Sequence, residues 1–311
     1  MEADGVSLHA AAARSARSLA VEFGLVTAAL VCLVLWRRLL DGLLSATLGS
    51  PSARGGLLVS GLVDGGLLLV GLVAFAGVYV RVRDVDVGVA RPTTADLPTL
   101  AAAALTPLAL VAATKLVGVA TGVPYNALTK ASVAADAPLG PIVFVAGLGL
   151  LVGVPALLVV CQVLVQGSFE RVVDGDAAVV LTTLVAGFLF VNDAGGLTTL
   201  PERGKLAGAA VLAGLVGAAL VVHERTGRDW LRYLGAAPAV AFVTLVGLSA
   251  VASVDTLAGG LFALAHLVTF AVAAFAYDRT DSLLGPAVAY ASLLLADRAV
   301  VVVFEAGMRS W

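Results

Sequence analysis

Charged residues are scarce in this chain: Asp, Glu, Lys and Arg make up 13% of its 311 residues, against about 25% in ordinary soluble domains. Hydrophobic residues make up 60% of the chain, and the mean hydropathy is +1.03. A soluble fold cannot bury that much apolar surface, and a disordered chain needs low hydrophobicity. Both classes are therefore excluded, and an integral membrane protein remains.

Positive charge, cysteine and histidine are also in short supply. The formal net charge is −2 and the basic residues are scattered, so nucleic acid is not an expected partner. The two cysteines lie inside apolar runs, which indicates no disulfide framework. No zinc-binding motif is present, and the three histidines, His9, His223 and His266, are far apart in sequence. The sequence therefore predicts no metal site and no cofactor.

Long apolar runs are the main feature that is present. A bilayer core about 30 Å thick is crossed by about 20 residues of helix. Runs of roughly that length occur at residues 19–36, 56–80, 97–120, 139–165, 177–192, 206–223, 234–252, 256–277 and 283–304. The links between them are too short to hold a soluble domain. The sequence predicts an all-α, polytopic transmembrane helix bundle of eight or nine spans, surrounded by the lipid bilayer.

The fourth and fifth runs differ from simple spans. Residues 137–169 contain no charged side chain and would form about 50 Å of helix, too long for one straight crossing. Pro155 is expected to kink this helix. The fifth run, residues 177–192, is barely long enough to cross. Both a broken helix at a binding site and a tilted helix beside a short one fit this pattern.

The basic residues also give an orientation. Their distribution between alternate loops favours a cytoplasmic N-terminus by a small margin. The protein is therefore expected in the cell membrane as a multi-pass protein. Nine spans would place its termini on opposite faces of the membrane, and eight would place them on the same face.

Several ionisable residues fall inside the runs, where each has a cost of about 2.5–3.5 kcal/mol on insertion scales and needs a partner. Glu22, Asp64 and Lys115 are expected to pair with one another or to lie near an interface. Asp297 and Arg298 are about 100° apart on the last helix, so at least one is expected to face the interior. These residues form either a polar pocket or separate hydrogen-bonded groups, and the pocket hypothesis collects Cys161, Gln162, Asn192, Asp193, His266, Asp297 and Arg298.

One stretch carries a motif-like pattern. Leu164–Arg171 reads Leu-Val-Gln-Gly-Ser-Phe-Glu-Arg, and Tyr277–Thr280 reads Tyr-Asp-Arg-Thr with Pro286 following. Residues 91–311 thereby resemble the CPBP intramembrane proteases, also called the CAAX-protease or ABI family, with residues 1–90 as an additional N-terminal pair of helices. In that family, glutamate and histidine side chains at the centre of the bundle are thought to activate water.

The resemblance maps the family's motif positions onto this chain with substitutions throughout. Cys161 and Gln162 stand at the paired glutamates, and Gln166 stands at the arginine. Asn192 and Tyr290 stand at the two histidines, and Leu294 stands at the asparagine. A competing register places the late signature at His223–Thr226, and it supplies no histidine either.

The substitutions remove the strong bases that proteolysis needs. A thiol, three carboxamides, a phenol and a leucine offer no general base poised near neutral pH, so no catalytic residue is assigned. We therefore expect a non-catalytic relative that binds a membrane-protein partner, a peptide or a lipid. The alternatives are an active intramembrane endopeptidase with a divergent site and a small-solute transporter.

Overall fold

The computed structural model describes residues 2–48, 57–131, 133–134, 136, 138–192, 196–226 and 229–307. Within these residues the fold is all-α, as predicted, and the only strand-like pairings are the isolated bridges Val89–Ser282 and Val191–Leu197. Helices satisfy their own backbone hydrogen bonds, which is required of a chain surrounded by lipid.

Eleven helices are described, and most of them coincide with the apolar runs. They are α1 (Glu2–Leu48), α2 (Leu57–Arg83), α3 (Leu97–Thr121), α4 (Tyr125–Thr129), α5 (Leu139–Leu157), α6 (Gly167–Glu170), α7 (Gly175–Phe190), α8 (Arg203–Arg225), α9 (Asp229–Ala252), α10 (Leu257–Thr280) and α11 (Leu284–Phe304). A short 3₁₀ turn, Thr94–Asp96, precedes α3, and a π-helical segment, Leu158–Gln166, joins α5 to α6.

Eight stretches of these residues are long and apolar enough to cross a membrane, and α7, at 16 residues, is the shorter fifth run. The protein is therefore a multi-pass membrane protein. The helices run alternately between two ends of the bundle. At the proximal end Arg83 bonds Glu22 at 2.5 Å, and Arg279 lies 3.8 Å from Asp176. At the distal end the Gly307 N–H donates to the Val133 carbonyl at 2.7 Å.

The long uncharged run changes its helical geometry midway. Pro155 has no N–H to donate, so the regular i→i−4 ladder is interrupted at that residue. Leu158 then shares its N–H between the carbonyls of Val154 and Pro155. The nine residues that follow, Leu158–Gln166, are π-helical. Such segments occur mostly as short bulges, often at functional sites.

Burial is concentrated on one side of the bundle. The π-helical segment, α10 and α11 are rich in buried side chains, including Leu164, Phe270 and Tyr290. The hairpin of α8 and α9 is peripheral: α9 packs mainly against α8, and none of the residues in its membrane-spanning window is buried. Exposed leucines and valines, such as Leu245 and Leu248, cover this hairpin. In a membrane protein these side chains face lipid.

A pair of small residues brings two helices into contact. Gly61 and Gly65 on α2 lie one turn apart against Leu148 and Val152 of α5. A methyl group added at Gly65 would lie 2.8 Å from a methyl of Val152. The spacing of small residues on α2 therefore marks a close approach of two helices.

Candidate functional site

Three of the residues aligned with the CPBP motifs meet, and the other three lie elsewhere in the bundle. Cys161, Gln162 and Tyr290 are fully buried and in mutual contact. The Gln162 side-chain amide donates to the Tyr290 hydroxyl at 3.0 Å. Phe270 packs edge-on against Tyr290 with ring centroids 5.9 Å apart, and Phe190 lies beyond it. The three polar groups therefore form a hydrogen-bonded cluster that is enclosed by aromatic side chains.

The other aligned positions lie outside this cluster. The Gln166 amide donates to Glu170 at 2.8 Å and to the Ala274 carbonyl at 3.0 Å. Leu294 is half-buried and faces α5. The Asn192 carbonyl oxygen accepts the Gly196 N–H at 2.9 Å in the loop after α7. Asp193, which the pocket hypothesis also included, lies outside the described residues.

A second polar cluster lies between α3, α4, α10 and α11. His266 is 1% exposed, and its Nε2 lies 3.5 Å from an Asp297 carboxylate oxygen. The Tyr125 hydroxyl donates to the other oxygen of Asp297. Asp297 thus faces the interior, whereas Arg298 is exposed. The 100° separation between consecutive helical residues explains why only one of the two can point inward.

Beside this cluster, Glu305 closes the distal end. Its carboxylate is fully buried, pairs with Lys115, and accepts the backbone N–H groups of Tyr125 (at 2.7 Å) and Asn126. Burial raises the pKa of Glu305, but the hydrogen bonds from Lys115 and the two N–H groups outweigh burial and lower it overall. Burial, followed by the negative charges of Asp297 and Glu305, raises the pKa of the Tyr125 hydroxyl.

The ion pairs differ from the expected ones. Glu22 bonds Arg83 and lies 4.0 Å from Arg171, and Lys115 pairs with Glu305. Of the two expectations for Glu22 and Lys115, pairing with one another does not occur because they lie at opposite ends of the bundle, and each lies near an end of the bundle instead. Tyr125 and Glu305 were not predicted as site residues, since both lie just outside the apolar runs.

Two adjoining cavities separate α7 from the α8–α9 hairpin. The distal cavity, about 980 Å³, opens at the distal end and is lined by polar and apolar residues of α4, α7, α8, α9 and α10. The apolar chamber, about 590 Å³, lies between α1, α7, α8 and α9, and every side chain that lines it is apolar. Phe188, Phe242 and Val246 line both, so the two cavities share a wall.

The polar rim of the distal cavity combines charge and hydroxyl groups. Lys130 and Lys205 carry positive charge there, and Asp255 carries one negative charge. Lys205 also donates to the Val191 carbonyl at the end of α7. Hydroxyl and amide groups complete the rim, from Asn192, Ser249, Ser253 and Thr256.

Comparison with known proteins adds no relative: no family model, curated protein or solved structure matches the chain. Among the residues that the structure describes, no three His, Cys, Asp or Glu side chains gather as they would around a metal ion. The geometry of the two polar clusters and of the cavities is therefore the basis for a functional proposal.

Proposed function

We propose that this membrane protein binds a phospholipid in the cleft between α7 and the α8–α9 hairpin. The observation that carries the proposal is the wall shared by a wholly apolar chamber and a polar-rimmed cavity. A phospholipid has the same two parts, an acyl chain and a charged headgroup. Both volumes lie within the range of about 300–1,000 Å³ found for ligand sites.

The acyl chain is assigned to the apolar chamber. Phe23, Leu181 and Leu212 are among its lining residues, and none of the residues around it offers a polar side chain. Each methylene group removed from water contributes about 0.8 kcal/mol. A chain drawn from the bilayer gains less, since it leaves lipid rather than water, so the headgroup must supply the selectivity.

The headgroup is assigned to the rim of the distal cavity. Two lysines and one aspartate leave one net positive charge there, which favours an anionic phosphate group. Lys205 can keep its bond to the Val191 carbonyl and still donate to a phosphate, because an ammonium group has three donors. The serine and threonine hydroxyls supply neutral hydrogen bonds.

Helix α9 provides the movable wall that such a site needs. It is held mainly by α8 and has no buried residue in its spanning window, whereas α8 packs against α1. Elements with few buried contacts open at low free-energy cost. A lipid can therefore enter sideways from the bilayer when α9 moves outward.

We also propose a CPBP-like scaffold without proteolytic activity. If the resemblance holds, residues near positions 161 and 290 should lie close together. The hydrogen bond between Gln162 and Tyr290 agrees with this expectation. Water attack needs a general base and space for water. Cys161, Gln162 and Tyr290 are fully buried among packed side chains, which supports a structural role for them.

The two alternatives predict different behaviour. A divergent protease would cleave a membrane-embedded peptide, and Cys161→Ala would abolish that cleavage. A small-solute transporter needs a polar path through the bundle, whereas the polar lining of the described cavities lies at the distal end. This distribution favours lipid binding over transport of a polar solute.

The test is lipid retention after purification from membranes that contain phosphatidylglycerol and phosphatidylcholine. Val246→Trp places a large side chain where the two cavities meet and so reduces their volume. Leu248→Trp is the matched control, since it adds the same side chain to the exposed face of α9. Native mass spectrometry should show one phosphatidylglycerol bound to the wild type and to Leu248→Trp, and none bound to Val246→Trp.

A second variant tests the headgroup assignment. Lys205→Gln should weaken the preference for phosphatidylglycerol over phosphatidylcholine about tenfold, since loss of one charge-assisted hydrogen bond is worth roughly 1.4 kcal/mol. Equal lipid retention by Val246→Trp and Leu248→Trp would overturn the cleft as the binding site.

A further inference from the structure

Ionisable groups deep in a membrane protein need a physical reason, and the His266–Asp297 pair has one that the proposed lipid site does not use. His266 is the tenth residue of α10, and Asp297 lies seven residues before the C-terminal end of α11. Both are therefore well inside the spanning segments. A buried ionisable pair of this kind marks a functional site by default.

The hydrogen bonds of His266 fix its tautomer. Its Nδ1 lies 2.7 Å from the Phe262 carbonyl oxygen, and a carbonyl can only accept a hydrogen bond. Nδ1 therefore carries a proton. Nε2, which faces Asp297 at 3.5 Å, is then either a bare lone pair or the second N–H of an imidazolium.

The protonation state of Asp297 depends on the same contact. The Tyr125 hydroxyl donates to its Oδ1, and Oδ2 faces His266 Nε2. Two bare lone pairs facing each other would repel. One proton held between Nε2 and Oδ2 removes the repulsion and gives the pair zero net charge. Without that proton the pair carries one negative charge.

Among the residues that the structure describes, no neighbouring cation supplies this charge instead. The basic residue of α3 is Lys115, which is paired with Glu305. From α4 the titratable group is Tyr125, and on α11 itself Arg298 points to the exposed surface. Phe262 packs edge-on against His266 with ring centroids 4.5 Å apart and contributes no charge.

We propose that His266 and Asp297 form a proton-binding site within the membrane-spanning bundle. Uptake of one proton converts a neutral imidazole beside a carboxylate into a neutral ion pair, and release restores the negative charge. No other bond forms or breaks. Asp297 is 14% exposed, so its carboxylate is not completely enclosed by the bundle.

The test is nuclear magnetic resonance of the full-length protein with ¹⁵N-labelled histidine, followed from about pH 5 to pH 9. His266→Gln identifies the His266 signals among those of the three histidines. In the wild type we expect one protonation step at Nε2 while Nδ1 stays protonated. In Asp297→Asn an amide replaces the carboxylate and can donate to Nε2, so the protonation step at Nε2 should be absent from the range.

Two further measurements separate this outcome from misfolding. Asp136→Asn removes an exposed carboxylate at the distal end and should leave the His266 titration unchanged. Infrared difference spectra with ¹³C-labelled aspartate report the aspartate carboxyls, and the bands that are absent from Asp297→Asn are those of Asp297. The proposal is overturned if neither His266 nor Asp297 changes protonation over the range, or if Asp297→Asn leaves the His266 titration as in the wild type. Neither result bears on lipid retention.

Discussion

Replacing Glu305 by glutamine tests how the distal end is held together. The carboxylate is fully buried and accepts three hydrogen bonds, one from Lys115 and two from backbone N–H groups at the start of α4. Glutamine has nearly the same shape but only one acceptor oxygen, whereas the N–H groups of Tyr125 and Asn126 bond different oxygens of Glu305, so the glutamine amino group faces one of these donors. The substitution removes the negative charge, and with it the pairing with Lys115.

The expected loss follows from those three bonds. Hydrogen bonds to charged groups contribute about 1.5–3 kcal/mol each, and neutral ones about 0.5–1.5 kcal/mol. Losing the Lys115 bond and weakening the other two should cost roughly 2–4 kcal/mol. For a chain of this size each kcal/mol corresponds to about 2 °C, so Glu305→Gln should lower Tm by about 4–8 °C.

The effect should also depend on pH. The pKa of Glu305 lies below its ordinary value, so the folded state gains stability from the ionised carboxylate. That gain is complete above the unfolded-state pKa, about 4.3. It is lost as the pH falls through the lower pKa of the folded state. The difference in Tm between wild type and variant should therefore shrink below about pH 4.

The assay is thermal unfolding of the purified protein in one detergent at several pH values. Glu202→Gln is the matched control, because Glu202 is an exposed carboxylate just before α8 at the same end of the bundle. It should change Tm by less than about 1 °C. The reasoning is refuted if Glu305→Gln behaves like this control, or if its deficit does not change with pH.

Two further predictions concern packing and topology. Gly65→Ala should lower the free energy of unfolding by about 1–3 kcal/mol, because the new methyl group would crowd Val152. Gly66→Ala is the control, since its new methyl group meets open space and should be neutral or slightly stabilising. Thermal unfolding compares the two variants, and equal effects would contradict the close approach of α2 and α5. Single cysteines at Asp176 and Ala306, with the native cysteines replaced, should react with an impermeant maleimide from opposite sides of the membrane, and labelling from the same side would mean that α7 does not cross.

The sequence predicted the helices well because a membrane span can be recognised from a short stretch of consecutive residues. About 20 apolar residues in a row are enough to indicate a crossing, and eight of the predicted runs are long apolar helices in the structure. The boundaries were less accurate: α1 extends well beyond residues 19–36. The π-helical segment could not be predicted beyond the disturbance expected at Pro155, since it depends on how the helix packs after losing one hydrogen bond.

Partner assignments needed information that the runs alone do not supply. Lys115 lies near the end of the third span and Glu305 directly after the ninth. If α7 is counted as a crossing, all odd-numbered spans end at the same face of the membrane. The order of the spans could therefore have suggested the pairing of Lys115 with Glu305. The same count places Glu22, near the start of the first span, at the other face. The contact between Tyr125 and Asp297 depends on the position of a short helix that no periodicity predicts.

Three acids in the described part of the bundle, Glu22, Glu305 and Asp297, differ in their partners. Glu22 meets Arg83 at the proximal end, and Lys115 meets Glu305 at the distal end, so both of these acids have a base as their partner. The pair deepest in the bundle, His266 with Asp297, has no fixed cation between its two acceptor atoms. An uncompensated carboxylate in that position would be costly in a membrane. A proton is the smallest cation that removes the cost, and unlike lysine or arginine it can leave again.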